Sequence, residues 1–138
     1  MAYASLDTSI VLRLLLLDLP DKVAEIDNFI ASQDSGSLVL EDAVLFEVVW
    51  ILGGPVYDLT RHSISQALVQ ITDIKQIRCN RALLFKVLPL YVKHPKLSFI
   101  DICLAVYAEL NKAAPLLTLD KHLAKTLPNA RFLTQAAG

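Results

Sequence analysis

Apolar residues in this chain alternate between short uninterrupted runs and longer stretches spaced by three or four positions. "AYASL" (Ala2–Leu6) reads as a strand ending at Asp7, and "TSIVLRLLLLDL" after it as a helix stopped by Pro20. "DKVAEIDNFIAS" repeats Val23, Ile26, Phe29 and Ile30 on one helical stripe, starting at Pro20 or Asp21. "DSGS" is a turn, "LVL" a short buried strand, and Glu41–Leu52 a helix with acids in its first turn, ended by Gly53-Gly54-Pro55. A helix capped by Thr60 is predicted as far as Lys75, and "QIRC" is a short strand. Asn80 caps the next helix, which reaches Lys93 with Pro89 expected to kink it. Beyond the loop "HPKL", Ser98–Asn111 is an apolar helix, "PLLTL" the clearest strand, "KHLAKTL" a short helix and "ARFLT" a last strand.

Strands that alternate with crossover helices imply an α/β fold, a parallel sheet with helices on both faces. No internal repeat, low-complexity tract or boundary divides residues 1–138, so a single domain is expected. The 54% hydrophobic content and mean hydropathy of +0.48 agree with strands covered on both faces, and they leave room for an apolar dimer interface.

Charge changes the picture by its distribution. Residues 1–60 hold ten acids against Arg13 and Lys22, whereas residues 61–138 hold eleven bases against four acids. Between Asp73 and Asp101 lie Lys75, Arg78, Arg81, Lys86, Lys93 and Lys96 with no acid, either a solvated helix face or a surface for phosphates. Cys79 and Cys103 have no metal-type spacing and read as buried thiols of a reducing compartment. His62, His94 and His122 share no ligand spacing and are expected at the surface. The opening residues lack a basic n-region, carry Asp7 and Arg13, and are too short an apolar run to cross a bilayer; a cytosolic, membrane-free protein is expected.

Four carboxylates occupy telling places. Ligands of open α/β sheets bind beyond the carboxyl ends of the strands. Asp7 and Asp120 end predicted strands, and Asp101 sits in the first turn of the helix feeding the second of them. Glu47 stands in "VLFEVVWIL" among eight apolar residues, with no polar neighbour at helical spacing. Each has a plain alternative: Asp7 and Asp120 as helix caps, Asp101 in the capping box "SFID", Glu47 neutral or paired with a cation such as Arg13. Together they suit a hard divalent cation, which takes oxygen ligands and lets a polyanion approach clustered acids. Such an ion activates water, and a second stabilises the leaving oxygen.

The stretches "LDTSIVLRLLLLDLP", "FEVVWIL", "LSFIDICLAVYAE" and "LLTLDKHLAK" resemble, in order and spacing, the motifs of the PIN-domain ribonucleases, and among them the VapC toxins of toxin–antitoxin pairs. The resemblance implies a three-layer α/β/α sandwich on a mostly parallel sheet of about five strands, carrying a Mg²⁺- or Mn²⁺-dependent endoribonuclease site. It places catalytic acids at Asp7, Glu47, Asp101 and Asp120, with Asp7 and Asp101 as principal metal ligands and Ser9 and Thr118 in support. It also implies a homodimer silenced by a VapB-like antitoxin. Arg13, Lys75, Arg78, Arg81, Lys93 and Lys96 are then candidate contacts to RNA. Two positions depart from the pattern: Ser9 stands where asparagine is common, and Ser98 where many relatives carry a further acid.

Two other classes fit less well. Phosphotransfer enzymes with strand-end aspartates need a second aspartate at Ser9, or adjacent acids near the first strand. A non-catalytic member of the fold, kept for binding protein or RNA, would be expected to lose site acids, and all four are present.

Overall fold

The computed structural model describes residues 3–16 and 20–136, which divide into two compact units, Met1–Arg81 and Ala82–Gly138. In the first, β1 (Ala4–Ser5), β2 (Leu38–Val39) and β3 (Ile77–Arg78) form a parallel sheet in that order. The register pairs Ser5 with Val39 and Val39 with Arg78. Ala2 of the expected first strand lies outside the described residues.

Four helices accompany this sheet: α1 (Thr8–Leu16), α2 (Pro20–Ala31), α3 (Asp42–Leu52) and α4 (Arg61–Thr72). Residues 17–19, the expected end of the first helix, also lie outside the described residues. Pro20 begins α2, where its missing N–H has no partner to lose. The chain enters β2 through Gly36, whose φ of 69° lies in the left-handed region that a side chain disfavours; its N–H donates to Lys75 O at 2.9 Å. α3 stops at Leu52, and a Cβ on Gly54 would stand 3.2 Å from Trp50 O and 3.3 Å from Ile51 O. Leu38, Leu40, Leu45, Leu52, Ile64 and Leu68 are fully buried, each contributing roughly 1.5–3 kcal/mol of transfer free energy.

α4 ends three residues short of the predicted Lys75. Arg81 explains this: its Nη2 donates to Thr72 O at 2.8 Å and Ile77 O at 3.2 Å, and its Nε to Thr72 O at 3.2 Å. A fixed guanidinium fork holding these carbonyls ends the helix and sets the turn into β3.

The second unit contains α5, which starts at Arg81 and runs to Lys93, then α6 (Phe99–Leu110), β4 (Leu116–Thr118), α7 (Lys121–Thr126), β5 (Ala130–Phe132) and α8 (Leu133–Ala136). β4 and β5 are parallel, Thr118 opposite Phe132. Thus the α/β class and parallel pairing hold, with five strands among the described residues arranged as three and two. α5 continues through Pro89. Tyr91 and Phe99 meet edge to face in this unit's core, ring centroids 5.4 Å apart. The predicted last strand is shorter than "ARFLT": among the described residues its pairing with β4 ends at Phe132, opposite Thr118, and Leu133 starts a helical turn instead.

Among the described residues, no helix is long and apolar enough to cross a membrane. Cys103 is buried and Cys79 half-buried, both as reduced thiols. Burial pushes the Cys79 thiol pKa up, Arg81 opposing and Asp42 assisting. His62 and His122 are exposed, as expected, whereas His94 is half-buried in the turn after α5.

Candidate active site

In the first unit the sheet edge is built by its register. Leu6 N–H donates to Val39 O at 2.9 Å, so the chain leaves β1 and β2 side by side and reaches Asp7 at the start of α1. Asp7 Oδ1 accepts from the Ser9 hydroxyl at 2.6 Å and from Ile10 N–H at 3.2 Å. The aspartate is therefore a helix cap, as the plain reading has it, with the Ser9 hydroxyl and the Ile10 N–H both on Oδ1. The Ser9 hydroxyl, and after it the Ile10 N–H, hold this carboxyl below the usual aspartate range.

Glu47 lies on α3, which packs against α1. The apolar surroundings of the sequence do not bury it: Leu45, Val48, Val49 and Leu52 turn inward, while Ala43, Glu47 and Trp50 share an exposed face. Trp50 is 78% exposed, so the missing polar face is a water-facing one made partly of apolar residues. Among the described residues the Glu47 carboxylate has no hydrogen-bond or ion-pair partner, so pairing with Arg13 is not observed.

In the second unit Ser98 caps α6 by accepting from Asp101 N–H at 3.1 Å. Asp101 is half-buried in the first turn, its own carboxylate without a hydrogen bond among the described residues. α6 packs against β4, whose exit carries Asp120. Asp120 Oδ1 accepts from His122 N–H at 2.9 Å and Leu123 N–H at 3.1 Å, capping α7, while Thr118 Oγ1 accepts from Asp120 N–H at 2.9 Å. Both hydroxyls expected in support thus bond to the strand-end acids: Ser9 to the carboxylate, Thr118 to the backbone.

Among the described residues no three His, Cys, Asp or Glu side chains are gathered as a ready metal cluster. Oxygen donors of this kind suit a hard cation in each unit taken by itself: in the first, the Asp7 cap bonds fall on Oδ1 and Glu47 is exposed, and in the second, the Asp120 cap bonds fall on Oδ1 and Asp101 is half-buried.

A family model described as the PIN domain matches residues 4–126. The chain belongs to the PIN-domain family. PIN domains are generally nucleases and usually use divalent metal ions. The match begins at β1 and ends with α7, so it takes in all four acids. The crystal structure of PAE2754 from Pyrobaculum aerophilum is similar to this PIN domain at 19% identity, over 98% of this chain and 86% of that one, with a TM-score of 0.32, too low to add to the family match. No curated protein matches the sequence.

The basic candidates differ in what they already touch. Lys75, Arg78, Lys93 and Lys96 are exposed and Arg13 is half-buried. The Arg78 guanidinium lies over the Tyr3 ring, 4.9 Å from its centroid. Arg81 spends its donors on backbone carbonyls, and Lys86 pairs with Glu109 at 3.0 Å. One feature of the site region is absent from the sequence reading: a cleft of about 710 Å³ lined by α1 and α2, including Ser9 and Phe29. The α2 stripe of Val23, Ile26, Phe29 and Ile30 carried its signal: only Ile30 of that stripe is buried, and Phe29 is 50% exposed.

Proposed function

We propose that this PIN domain, residues 1–138 acting as a single nuclease domain, is a Mg²⁺- or Mn²⁺-dependent endoribonuclease that hydrolyses RNA phosphodiesters to 5′-phosphate and 3′-hydroxyl ends. The observation that carries this reading is Asp7: a strand-end carboxylate oriented by the Ser9 hydroxyl on Oδ1, which also lowers its pKa. Asp7 and Asp101 would hold the ion, which supplies Lewis acidity toward the phosphate and lowers the pKa of a water.

The protein's own groups do the rest. Ser9 and the Ile10 N–H fix the rotamer of Asp7, so little ordering remains when the substrate arrives. Thr118 holds the turn that presents Asp120, and Glu47 on its exposed face orients the attacking water with Asp120. Arg13, Lys75, Arg78, Lys93 and Lys96 contact the RNA backbone, and Arg81 is left out because it holds the end of α4.

We further read the chain as the toxin of a VapBC-type pair acting in the cytoplasm, a homodimer neutralised by a VapB-like antitoxin. Exposed Phe85 and Val92 on α5, and Ile100 and Leu104 on α6, support an apolar interface. The test is cleavage of a mixed RNA pool with Mg²⁺ or Mn²⁺ by wild type, Asp7→Asn and Asp101→Asn. Cleavage by wild type and loss of at least about a hundredfold in each folded variant is expected. Undiminished cleavage by Asp7→Asn would sink the assignment.

A further inference from the structure

A second cavity, of about 450 Å³, lies within the second unit, where α7 packs against β5. Its volume falls inside the roughly 300–1,000 Å³ typical of ligand pockets. Lys121, Ala124, Lys125 and Phe132 line it, so its walls carry two cations, one ring and no acid. Lys121 and Lys125 stand four residues apart on α7, which puts their stems on one face of the helix. Both are exposed. Lys121 Nζ lies 5.6 Å from the centroid of the Phe132 ring, a contact that orients the ammonium and leaves it N–H donors for an anion. Lys125 has no hydrogen-bond or ion-pair partner among the described residues. The backbone N–H groups that open α7 take no part, because Asp120 Oδ1 already accepts from His122 and Leu123.

Two ammonium groups above an apolar floor, with no acceptor side chain between them, make a receptor for an anion. Lysine binds as a point charge, which suits a phosphate. A planar carboxylate is matched better by a guanidinium fork, and no arginine lines this cavity. Position is the second observation: Lys121 directly follows Asp120, the acid that caps the same helix. We propose that the α7 cavity is a clamp for the RNA backbone, in which Lys121 and Lys125 hold a phosphodiester other than the scissile one and Phe132 positions Lys121. The proposal rests on the endoribonuclease reading and adds a contact that sets the strand against Asp120 without reading its bases. These lysines then govern KM and leave kcat to the acids.

The experiment measures binding of a labelled oligoribonucleotide of mixed sequence, in EDTA and across a range of KCl concentrations, by fluorescence anisotropy. Wild type, the double variant Lys121→Gln with Lys125→Gln, Phe132→Leu and Phe132→Tyr are compared. Arg131→Gln serves as the charge control, since Arg131 is exposed on β5 and does not line the cavity. Circular dichroism melts confirm that each variant folds. The double variant should bind about tenfold more weakly and lose about 0.7 from the salt slope per lysine. Phe132→Leu should weaken binding about threefold, Phe132→Tyr should restore it, and Arg131→Gln should stay within about twofold of wild type. Double-variant binding equal to wild type, or a loss matched by Arg131→Gln, overturns the clamp and leaves the cavity to another anion, such as an acidic protein segment. Binding by Phe132→Leu equal to wild type overturns the role of the ring. Cleavage with Mg²⁺ separates this claim from the nuclease reading: the double variant should raise KM about tenfold with kcat unchanged. A cutting enzyme whose KM is indifferent to both lysines loses only the clamp. A non-cutting protein that binds RNA through them loses only the nuclease reading, and failure to bind any RNA overturns the clamp outright.

Discussion

Ser9 and Asp7 show how one short contact serves two ends. The hydroxyl at 2.6 Å completes a helix cap and also orients the carboxylate and lowers its pKa. Glu47 is the opposite case, an exposed acid with no partner among the described residues. Its replacement should therefore separate stability from activity. Glu47→Gln is expected to change unfolding free energy by no more than about 0.5 kcal/mol while removing RNA cleavage, checked by denaturant unfolding beside a nuclease assay. A large loss of stability would give Glu47 a structural role instead. At this scale the caps Thr60, Ser98 and Asp120 were legible, because each acts on an N–H two or three residues away. Arg81 was not, because Thr72 O and Ile77 O become its neighbours only after the chain has turned.

Helices carry the second pair of acids, and their joints are open to test. Ser98→Ala removes the hydroxyl that accepts from Asp101 N–H, and should destabilise the protein by about 0.5–2 kcal/mol in thermal unfolding. Retained stability would show that α6 starts without its cap. Between α5 and α6, Glu109 takes Lys86 Nζ at 3.0 Å, and it also accepts from Asn129 at 2.8 Å. The Lys86 hydrogen bond, then its charge, hold Glu109 below the ordinary glutamate range. A depressed folded-state pKa gives stability that is present above the unfolded value and lost as pH falls through the folded one. Wild type should therefore melt slightly above Glu109→Gln at neutral pH, the gap closing in acid; an equal gap at all pH values contradicts the pairing. Since both side chains are nearly half exposed, the gap should be small and shrink in salt. Helix type and order were readable from the apolar spacing, whereas the ends of α4 and β5 were not. A guanidinium sets the first, and the end of the pairing with β4 the second.

Across the whole molecule, acids concentrate before residue 60 and bases after it, a division that suits a chain holding cations and approaching a polyanion. The α/β class and the family were legible because the four motif stretches keep their order and spacing. The cleft beside Asp7 was hidden, because a stripe with Ile26, Phe29 and Ile30 looks the same whether it faces a core or lines a pocket. The central claim is that the PIN-domain acids hold a divalent cation for RNA hydrolysis. Its most direct test is titration calorimetry with Mn²⁺ on wild type, Asp7→Asn and Asp101→Asn, each first shown to be folded. The account predicts saturable binding by wild type and its loss in both variants. Binding that survives in both variants, or none by wild type even with RNA present, would contradict it and leave Asp7 as a helix cap alone.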